Sequence, residues 1–346
     1  MKKMIFAVLV LMTTSLMAWA DDTTPFKESS PDEYVVREGD TLWGIAEMYL
    51  DSPWQWPEIW HANPEIDNPH LIFPGDLVRM VYIDGKPRLT VERTTLMVPA
   101  SDATLRPTIR VLPIEEAIPA VPLDKIAAYL SRSRIVMPED VADAPYMLAG
   151  TERRIITGKG DHAYARGDFS SDLENYGVFR EEETFVDSET KEFLGVLAYG
   201  VGAVRIDRID GDIAKVYVTR SEEELRTGDI LLATQERSVD AIFYPSSPDM
   251  PIRSEILAVD GGVNNIGKLD VVVIKHGERE GLQVGNILAV YQRGEQVNDP
   301  IAGKTVQLPD ERVGLLMIFR TFEKLSFAIM MEAERPIAVG DRLLNP

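Results

Sequence analysis

The chain has 346 residues, a formal net charge of −20 and no cysteine. That length favours about two domains and leaves ample apolar material for a hydrophobic core. The absence of cysteine excludes disulfides, thiolate zinc sites and thiol catalysis. Because an acidic surface repels phosphate groups, nucleic acid and anionic lipid are not expected partners.

The first twenty residues have the pattern of an export signal. Two lysines precede an apolar stretch over residues 5–11, and Ala18-Trp-Ala20 fits the small-x-small rule for cleavage. An uncleaved membrane anchor is disfavoured, because polar residues interrupt an apolar run that is already too short to cross a bilayer. We expect residues 1–20 to be a signal peptide removed after Ala20, which leaves a periplasmic chain without a transmembrane span. Residues 21–33 are polar and are predicted to be a flexible leader.

Residues 34–82 carry the pattern of a small mixed domain. Tyr34–Arg37 alternates as a strand does, and Leu71–Arg79 is predicted to be a second strand. Between them, apolar residues spaced i, i+3, i+4 and i+7 predict a helix over Leu42–Tyr49, with Asp40 or Thr41 as its N-cap.

A second helix is predicted before the second strand. Ser52 is expected to be its N-cap, Pro53 its first helical residue and Gln55 the partner in a capping box. Trp56 and Trp60 are predicted to share its buried face. The order of the domain is therefore strand–helix–helix–strand.

An ordered set of residues gives this stretch a family likeness: Tyr34-Val-Val-x-x-Gly39-Asp-Thr-Leu-Trp-x-Ile-Ala46, then Ile59-x-x-x-Asn63-Pro64, then Ile72-x-Pro-Gly-Asp-x-Val78. The set resembles a LysM domain. The resemblance implies a βααβ fold that binds the N-acetylglucosamine-containing backbone of peptidoglycan or chitin. In that family the groove lies between the loop after the first strand and the loop after the second helix. The implied binding residues are Gly39, Asp40, Thr41, Leu42, Asn63, Pro64, Glu65 and Ile66.

The chemistry of the ligand agrees with these positions. An acetamido sugar needs backbone donors and acceptors for its amide and an apolar wall for its methyl group. Gly39 allows close backbone approach, and Leu42 and Ile66 are expected to wall the methyl pocket. The alternative is purely structural: Asp40 and Thr41 cap one helix, and Asn63-Pro64 ends the next.

Trp54 is the one aromatic residue with a predicted contact to the ligand. It is expected either to stack on a second sugar ring or to cover the core, since about fifty residues need large side chains to bury enough area. The sequence carries one copy of the domain, so affinity for one short glycan is expected to be modest. The expected ligand is the glycan strand of peptidoglycan, with no cofactor and no metal.

Residues 83–144 are predicted to be a connector. Eight prolines lie between residues 84 and 145, which leaves short apolar pieces between them. One helix is predicted over Pro122–Leu130, with Ile126, Ala127 and Leu130 on its apolar face.

Residues 145–346 are dominated by β signals, with strands predicted near residues 213–219, 271–274, 286–291, 313–319 and 325–331. Gly228-Asp, Gly285-Asn and Gly340-Asp recur at intervals of 57 and 55 residues as a weak repeat, with Gly167-Asp168 as a degenerate fourth copy. Each Gly is expected to supply a positive φ, and each Asp to bond the backbone two residues on. The repeat favours a barrel-like β domain, so the predicted fold class is α+β.

No catalytic motif is recognisable in the sequence. The four histidines, His61, His70, His162 and His276, form no pair that matches a zinc peptidase. Ser188-x-x-Lys191 lacks the partner motifs of serine acyl-transfer enzymes, and Asp207–Asp212 is predicted to be a hairpin turn rather than a calcium loop.

Three hypotheses follow for the function. The first is a non-catalytic periplasmic peptidoglycan-binding protein whose residues 145–346 bind an unknown envelope protein. The second is a cell-wall hydrolase with an unrecognised pair of carboxylates of the glycosidase type. The third is a structural subunit of an envelope assembly.

Overall fold

A computed structural model gives the fold of the chain. It describes residues 26–57, 72–83, 86–92, 118–122, 126–127, 129, 133–137, 141–154, 156–169, 173–233, 243–259 and 265–346. The predicted signal peptide lies outside the described residues, as do residues 21–25 of the predicted leader. Within those ranges the structure is mainly β, with one small module that carries an α-helix.

The N-terminal module is a three-stranded antiparallel sheet with a helix against it. Its elements are β1 (Glu33–Val35), α1 (Leu42–Tyr49), β2 (Leu77–Ile83) and β3 (Lys86–Glu92), and the strand order is β1-β2-β3. The helix has the predicted bounds. The start predicted for the second strand is wrong, because residues 73–76 form a turn and β2 begins at Leu77. The sequence prediction also lacked β3.

The buried face of α1 forms the core of this module. Leu42, Ile45, Ala46 and Tyr49 are at most 1 % exposed, as the periodicity predicted, and they pack with Trp56. An eight-residue helix is too short to be stable by propensity alone. Each large apolar side chain contributes about 1.5–3 kcal/mol on burial. Packing therefore holds this helix in place.

The start of the second helix is only partly as predicted. Pro53 opens a short 3-10 turn, Pro53–Gln55, and Trp56 continues it with helical backbone. The predicted capping box is wrong, because the side chain of Ser52 makes no capping hydrogen bond. The remainder of the predicted helix, including Trp60, lies outside the described residues.

The middle of the chain forms a first β barrel. Its strands are β4 (Ser133–Val136), β5 (Tyr146–Gly150), β7 (His162–Arg166), β8 (Asn175–Val186), β9 (Phe193–Asp210), β10 (Ile213–Ser221) and β12 (Ile230–Ala233), and a separate small pair is β6 (Ile156–Thr157) with β11 (Leu225–Arg226). The order is β10-β7-β5-β12-β8-β9, and β9 pairs again with β10, so six strands return on themselves. The strand β4 pairs with the N-terminal part of β9.

The C-terminal strands form a second, closed barrel. Its order is β13-β14-β19-β18-β15-β20. The bounds are β13 (Arg253–Val259), β14 (Val271–Lys275), β15 (Ile287–Gln292), β18 (Glu311–Thr321), β19 (Leu325–Ala333) and β20 (Arg342–Leu344), and a hairpin of β16 (Gln296–Asp299) and β17 (Lys304–Gln307) lies outside the ring. The predicted barrel-like architecture is confirmed for this region, and each of the five predicted strand segments overlaps a strand.

Strands of the second barrel are buried on both faces. In β14, Val271 and Val273 belong to one hydrophobic cluster, while Val272 and Ile274 belong to another. Strands with two buried faces carry continuous apolar runs instead of alternating ones. The first cluster also contains side chains of the first barrel, Phe185 among them. The two barrels therefore share a core.

The recurring Gly-Asp segments are one type of turn. In each turn the carboxylate or amide oxygen accepts the backbone N–H three residues upstream, at 2.7–3.0 Å. A glycine precedes six of the accepting residues, and Leu269, with a φ of 70°, precedes the seventh. The residues that accept are Asp40, Asp76, Asp161, Asp229, Asp270, Asn286 and Asp341. The expected bond to the backbone two residues on is therefore wrong in direction. These turns occur in the module and in both barrels, so they are a recurring way to start an element and not repeats of one domain. Gly167-Asp168 has a different conformation, because the φ of Gly167 is 151°.

Ion pairs join the two barrels beside their shared core. Asp187, in the β8–β9 turn, lies 2.9 Å from the ammonium of Lys275 on β14. A backbone amide of the same turn and then Lys275 hold the pKa of the Asp187 carboxyl well below its usual range. Glu192 lies 2.7 Å from Arg279 and 2.8 Å from Lys324, and these partners lower its pKa to about 2.

The predicted connector contains several ordered pieces among its described residues. Besides β3 and β4, Ile126, Ala127 and Tyr129 have helical backbone, within the helix predicted over Pro122–Leu130. The predicted start is wrong, because Pro122 is not helical, and Leu130 lies outside the described residues. The predicted apolar face is wrong at Ala127, which is exposed, whereas Tyr129 is buried and stacks edge-to-face on Phe327. The proposed limits of the five segments of the chain stay a prediction.

Candidate functional site

The first loop of the module is a tight turn over Arg37–Asp40. Gly39 has a φ of 88°, which favours glycine, and its Cα faces open space. The carboxylate of Asp40 accepts the amide of Arg37 at 2.8 Å and the hydroxyl of Tyr34 at 2.9 Å. Burial, and then Asp40, raises the pKa of Tyr34. The turn is therefore fixed by its own side chains.

Thr41 starts the helix. Its hydroxyl oxygen accepts the amide of Gly44 at 3.0 Å, so of the two predicted caps Thr41 is the one used. Leu42 and Trp43 follow as the first helical residues, and both are buried. Helix geometry leaves the first amides of a helix without intrahelical acceptors, so they are free to bind a carbonyl group from elsewhere.

A distant segment supplies those acceptors. The amides of Leu42 and Trp43 donate to the carbonyls of Pro119 and Ala120, at 3.0 and 3.1 Å. The amide of Ile118 donates to the carbonyl of Ile72 at 2.8 Å. We call residues 118–121 the strap. It joins the helix start to the chain just before β2, and sequence reasoning missed it because backbone carbonyls leave no pattern in a sequence.

The second predicted loop is only partly visible. Asn63, Pro64, Glu65 and Ile66 lie outside the described residues, so their predicted role stays a prediction. The end of that loop is described from Ile72, which is fully buried, into the turn that precedes β2. The structure thus places Gly39, Asp40, Thr41 and Leu42 together at the helix start. The carbonyl of Ile72 lies on the opposite side of the strap.

The described tryptophans of the module, Trp43, Trp54 and Trp56, are buried or half-buried, and Trp60 lies outside the described residues. Trp43 is 2 % exposed and belongs to the cluster shared by the barrels. Trp54 is half-buried and packs against that same cluster. Its position favours the core-covering alternative over the stacking one. The Lys268 ammonium, 2.8 Å from Glu47 of α1, adds a charged contact between the module and the second barrel.

Motifs that could indicate an enzyme have structural roles where they are described. Ser188 and Lys191 lie in the β8–β9 turn, where the Lys191 ammonium donates to the Ser188 carbonyl at 2.9 Å. His162 pairs with Asp207 at 3.1 Å on the surface of the first barrel. In the described part of the chain, no three His, Asp or Glu side chains are grouped as metal ligands would be. His61 and His70 lie outside it.

The fold and the site define a small α+β binding module that is carried on a pair of β barrels. Residues 34–80 match the family model of the LysM domain, a module that binds peptidoglycan or chitin. The chain therefore contains a LysM domain, and this module supports a carbohydrate-binding role. No curated protein matches the chain. Among the described residues, no helix has the length and apolar character needed to cross a membrane.

Proposed function

We propose that the protein is a non-catalytic peptidoglycan-binding protein of the bacterial periplasm. The LysM module holds glycan strands that contain N-acetylglucosamine, and the barrels bind another protein of the cell envelope. The observation that carries this proposal is the LysM match over residues 34–80. In that module the predicted binding residues Gly39 to Leu42 lie in the first loop and at the start of the helix.

The first loop suits an uncharged ligand that carries amide groups. The carboxylate of Asp40 already accepts two hydrogen bonds from the module itself, and the opposite charges of the exposed Arg37 and Glu38 offset each other. Gly39 is exposed and leaves room for a ligand to approach the backbone. Recognition would thus use backbone groups and apolar walls, which fits an acetamido sugar better than a charged polymer.

The location rests on charge and on the N-terminal pattern. Residues 1–20 have the features of an export signal, and the net charge of −20 opposes binding to anionic wall polymers. We therefore expect an exported acidic protein to bind the cell wall through the uncharged faces of its sugars.

The proposed partner surface includes the hairpin β16–β17. Ile301, at its tip, is 97 % exposed, and Val297 and Val306 are more than one-third exposed. Exposed apolar groups that project from a domain favour contact with another protein. A photo-crosslinking residue at position 301 should give an adduct in cells, and a control position such as Lys215 should not. Absence of any adduct would contradict this part of the proposal.

Sedimentation with purified peptidoglycan tests the main claim. The mature chain should pellet with the polymer and be released by a tetramer of N-acetylglucosamine. Gly39→Asn adds a side chain at the loop and should weaken pelleting several-fold. Gly340→Asn is a matched control, because Gly340 has nearly the same φ, 92° against 88°, and equally open space.

Two results would contradict the proposal. Protein that stays in the supernatant at every peptidoglycan concentration would remove the glycan-binding role. Soluble muropeptides released during the same incubation would show a wall hydrolase instead.

A further inference from the structure

The strap occupies a position that a glycan would need. It passes between the helix start and Ile72, the two sides of the module where the predicted binding loops end. Three backbone hydrogen bonds hold it there, and two of them use the amides of Leu42 and Trp43. Those amides are the donors that a ligand at this helix start would use.

The strap also matches the ligand in chemistry. An acetamido group consists of a carbonyl, an N–H and a methyl group. The strap presents the carbonyls of Pro119 and Ala120 to the helix start, the N–H of Ile118 to a carbonyl and the methyl group of Ala120 to the core of the module. Three peptide units of the strap, together with the methyl group of Ala120, therefore present the same kinds of group that an acetamido group carries.

Burial of its side chains stabilises the strap in its position against the helix start. Ile118 and Ala120 are 5 % and 4 % exposed within the core cluster of the module. Val121, the next residue, is fully buried in the cluster that contains Trp43 and the barrel strands. The strap is thus anchored on both sides, in the module and against the barrels.

We propose that the strap, residues 118–121, is an autoinhibitory segment that closes the glycan site of the LysM module. This inference rests on the proposed function. Glycan binds when the strap leaves the helix start, so the apparent affinity falls in proportion to the open fraction of the protein. If about one molecule in ten is open, the strap weakens binding about tenfold.

An open variant tests the first half of this proposal. In Ala120→Glu, a carboxylate replaces a methyl group in an apolar core, so the strap is expected to leave its place. Binding of the N-acetylglucosamine tetramer, measured by calorimetry on the mature chain, should become about tenfold tighter. Ala127→Glu is the matched control, because Ala127 is exposed in the next described segment, and its affinity should equal that of the unmodified chain.

A locked variant tests the second half. The backbones of Ile72 and Ile118 share a 2.8 Å hydrogen bond, so their Cα atoms lie within the range that a disulfide spans. The chain has no other cysteine. Oxidised Ile72→Cys/Ile118→Cys should lose binding at least tenfold relative to its own reduced form, which also controls for the changed core.

The outcomes separate this inference from the proposed function. Equal affinities for the open, unmodified and locked proteins would overturn the strap as an inhibitor and leave glycan binding intact. Failure of the cysteine pair to oxidise would contradict the placement of the strap. If neither the unmodified chain nor Ala120→Glu binds the tetramer or peptidoglycan, the proposed function fails, and the inference fails with it.

Discussion

Replacing Trp43 by alanine should destabilise the module and the barrels together. Its side chain is 2 % exposed and lies in the cluster that the barrels share. Burial of a tryptophan removes about 200 Å² from water, which is worth about 5 kcal/mol. Its indole N–H has no hydrogen-bond partner among the described residues, and burying that group costs about 1–3 kcal/mol. The expected loss in the free energy of unfolding is therefore about 2–4 kcal/mol.

Two optical probes measure the unfolding of the module and of the barrels separately. Apart from Trp19 of the predicted signal peptide, every tryptophan lies in residues 43–60. In a protein that starts at residue 21, fluorescence therefore reports the module, while far-UV circular dichroism reports mainly the barrels. In urea, both midpoints should fall by about 1 M. Trp43→Phe keeps most of the ring and removes the unpaired N–H, so its effect should be less than half as large. A fluorescence midpoint that falls while the dichroism midpoint stays unchanged would refute the shared core.

Two further predictions concern the barrels. In urea unfolding, Gly285→Ala should lower the free energy of unfolding by at least about 1–2 kcal/mol more than Gly340→Ala does. Both glycines have a φ near 90°, but only at Gly285 does the added Cβ come within 2.3 Å of a backbone carbonyl oxygen. Equal losses would contradict the close approach. The stability that Asp187 contributes should be complete above about pH 4 and decline as the pH falls further, because a backbone amide of its turn and Lys275 depress its folded-state pKa. Asp187→Asn should unfold with a shallower dependence on pH in that acid range, and an unchanged slope would contradict a contribution from this carboxylate.

Local features of the module could be predicted from sequence. The helix over Leu42–Tyr49 depends on the spacing of its own apolar residues, so it follows from a short window. The Gly-Asp turns were predictable for the same reason, although the direction of the Asp hydrogen bond was not. The capping box at Ser52 failed because a proline-led 3-10 turn replaces the regular helix start.

The strap could not be predicted because its contacts join distant parts of the chain. Pro119 and Ala120 bind the helix start through carbonyl oxygens, which every residue carries. The proline-rich composition of residues 83–144 indicated an extended segment and gave no sign of where it docks. Likewise, the division of residues 145–346 into two barrels depends on which strands pair, and apolar runs buried on both faces do not specify a partner.

The binding role of the predicted site residues stays a prediction. The family resemblance predicts Gly39 to Leu42, and the structure adds that the amide of Trp43 donates to the strap beside that of Leu42. The sequence predicts either sugar stacking or core covering for Trp54, and the contacts of Trp54 with the buried cluster favour core covering. That outcome depends on the barrels, whose position relative to the module no local pattern encodes.

Backbone amide resonances offer the most direct test of the account. On addition of the N-acetylglucosamine tetramer to the mature chain, the largest shifts should occur at Leu42, Trp43 and Ile118–Val121, because glycan and strap compete for the same donors. Ala120→Glu should show the shifts of Leu42 and Trp43 at about tenfold lower tetramer concentration. Unchanged resonances at Leu42 and Trp43 in both proteins at millimolar tetramer would contradict glycan binding at the helix start.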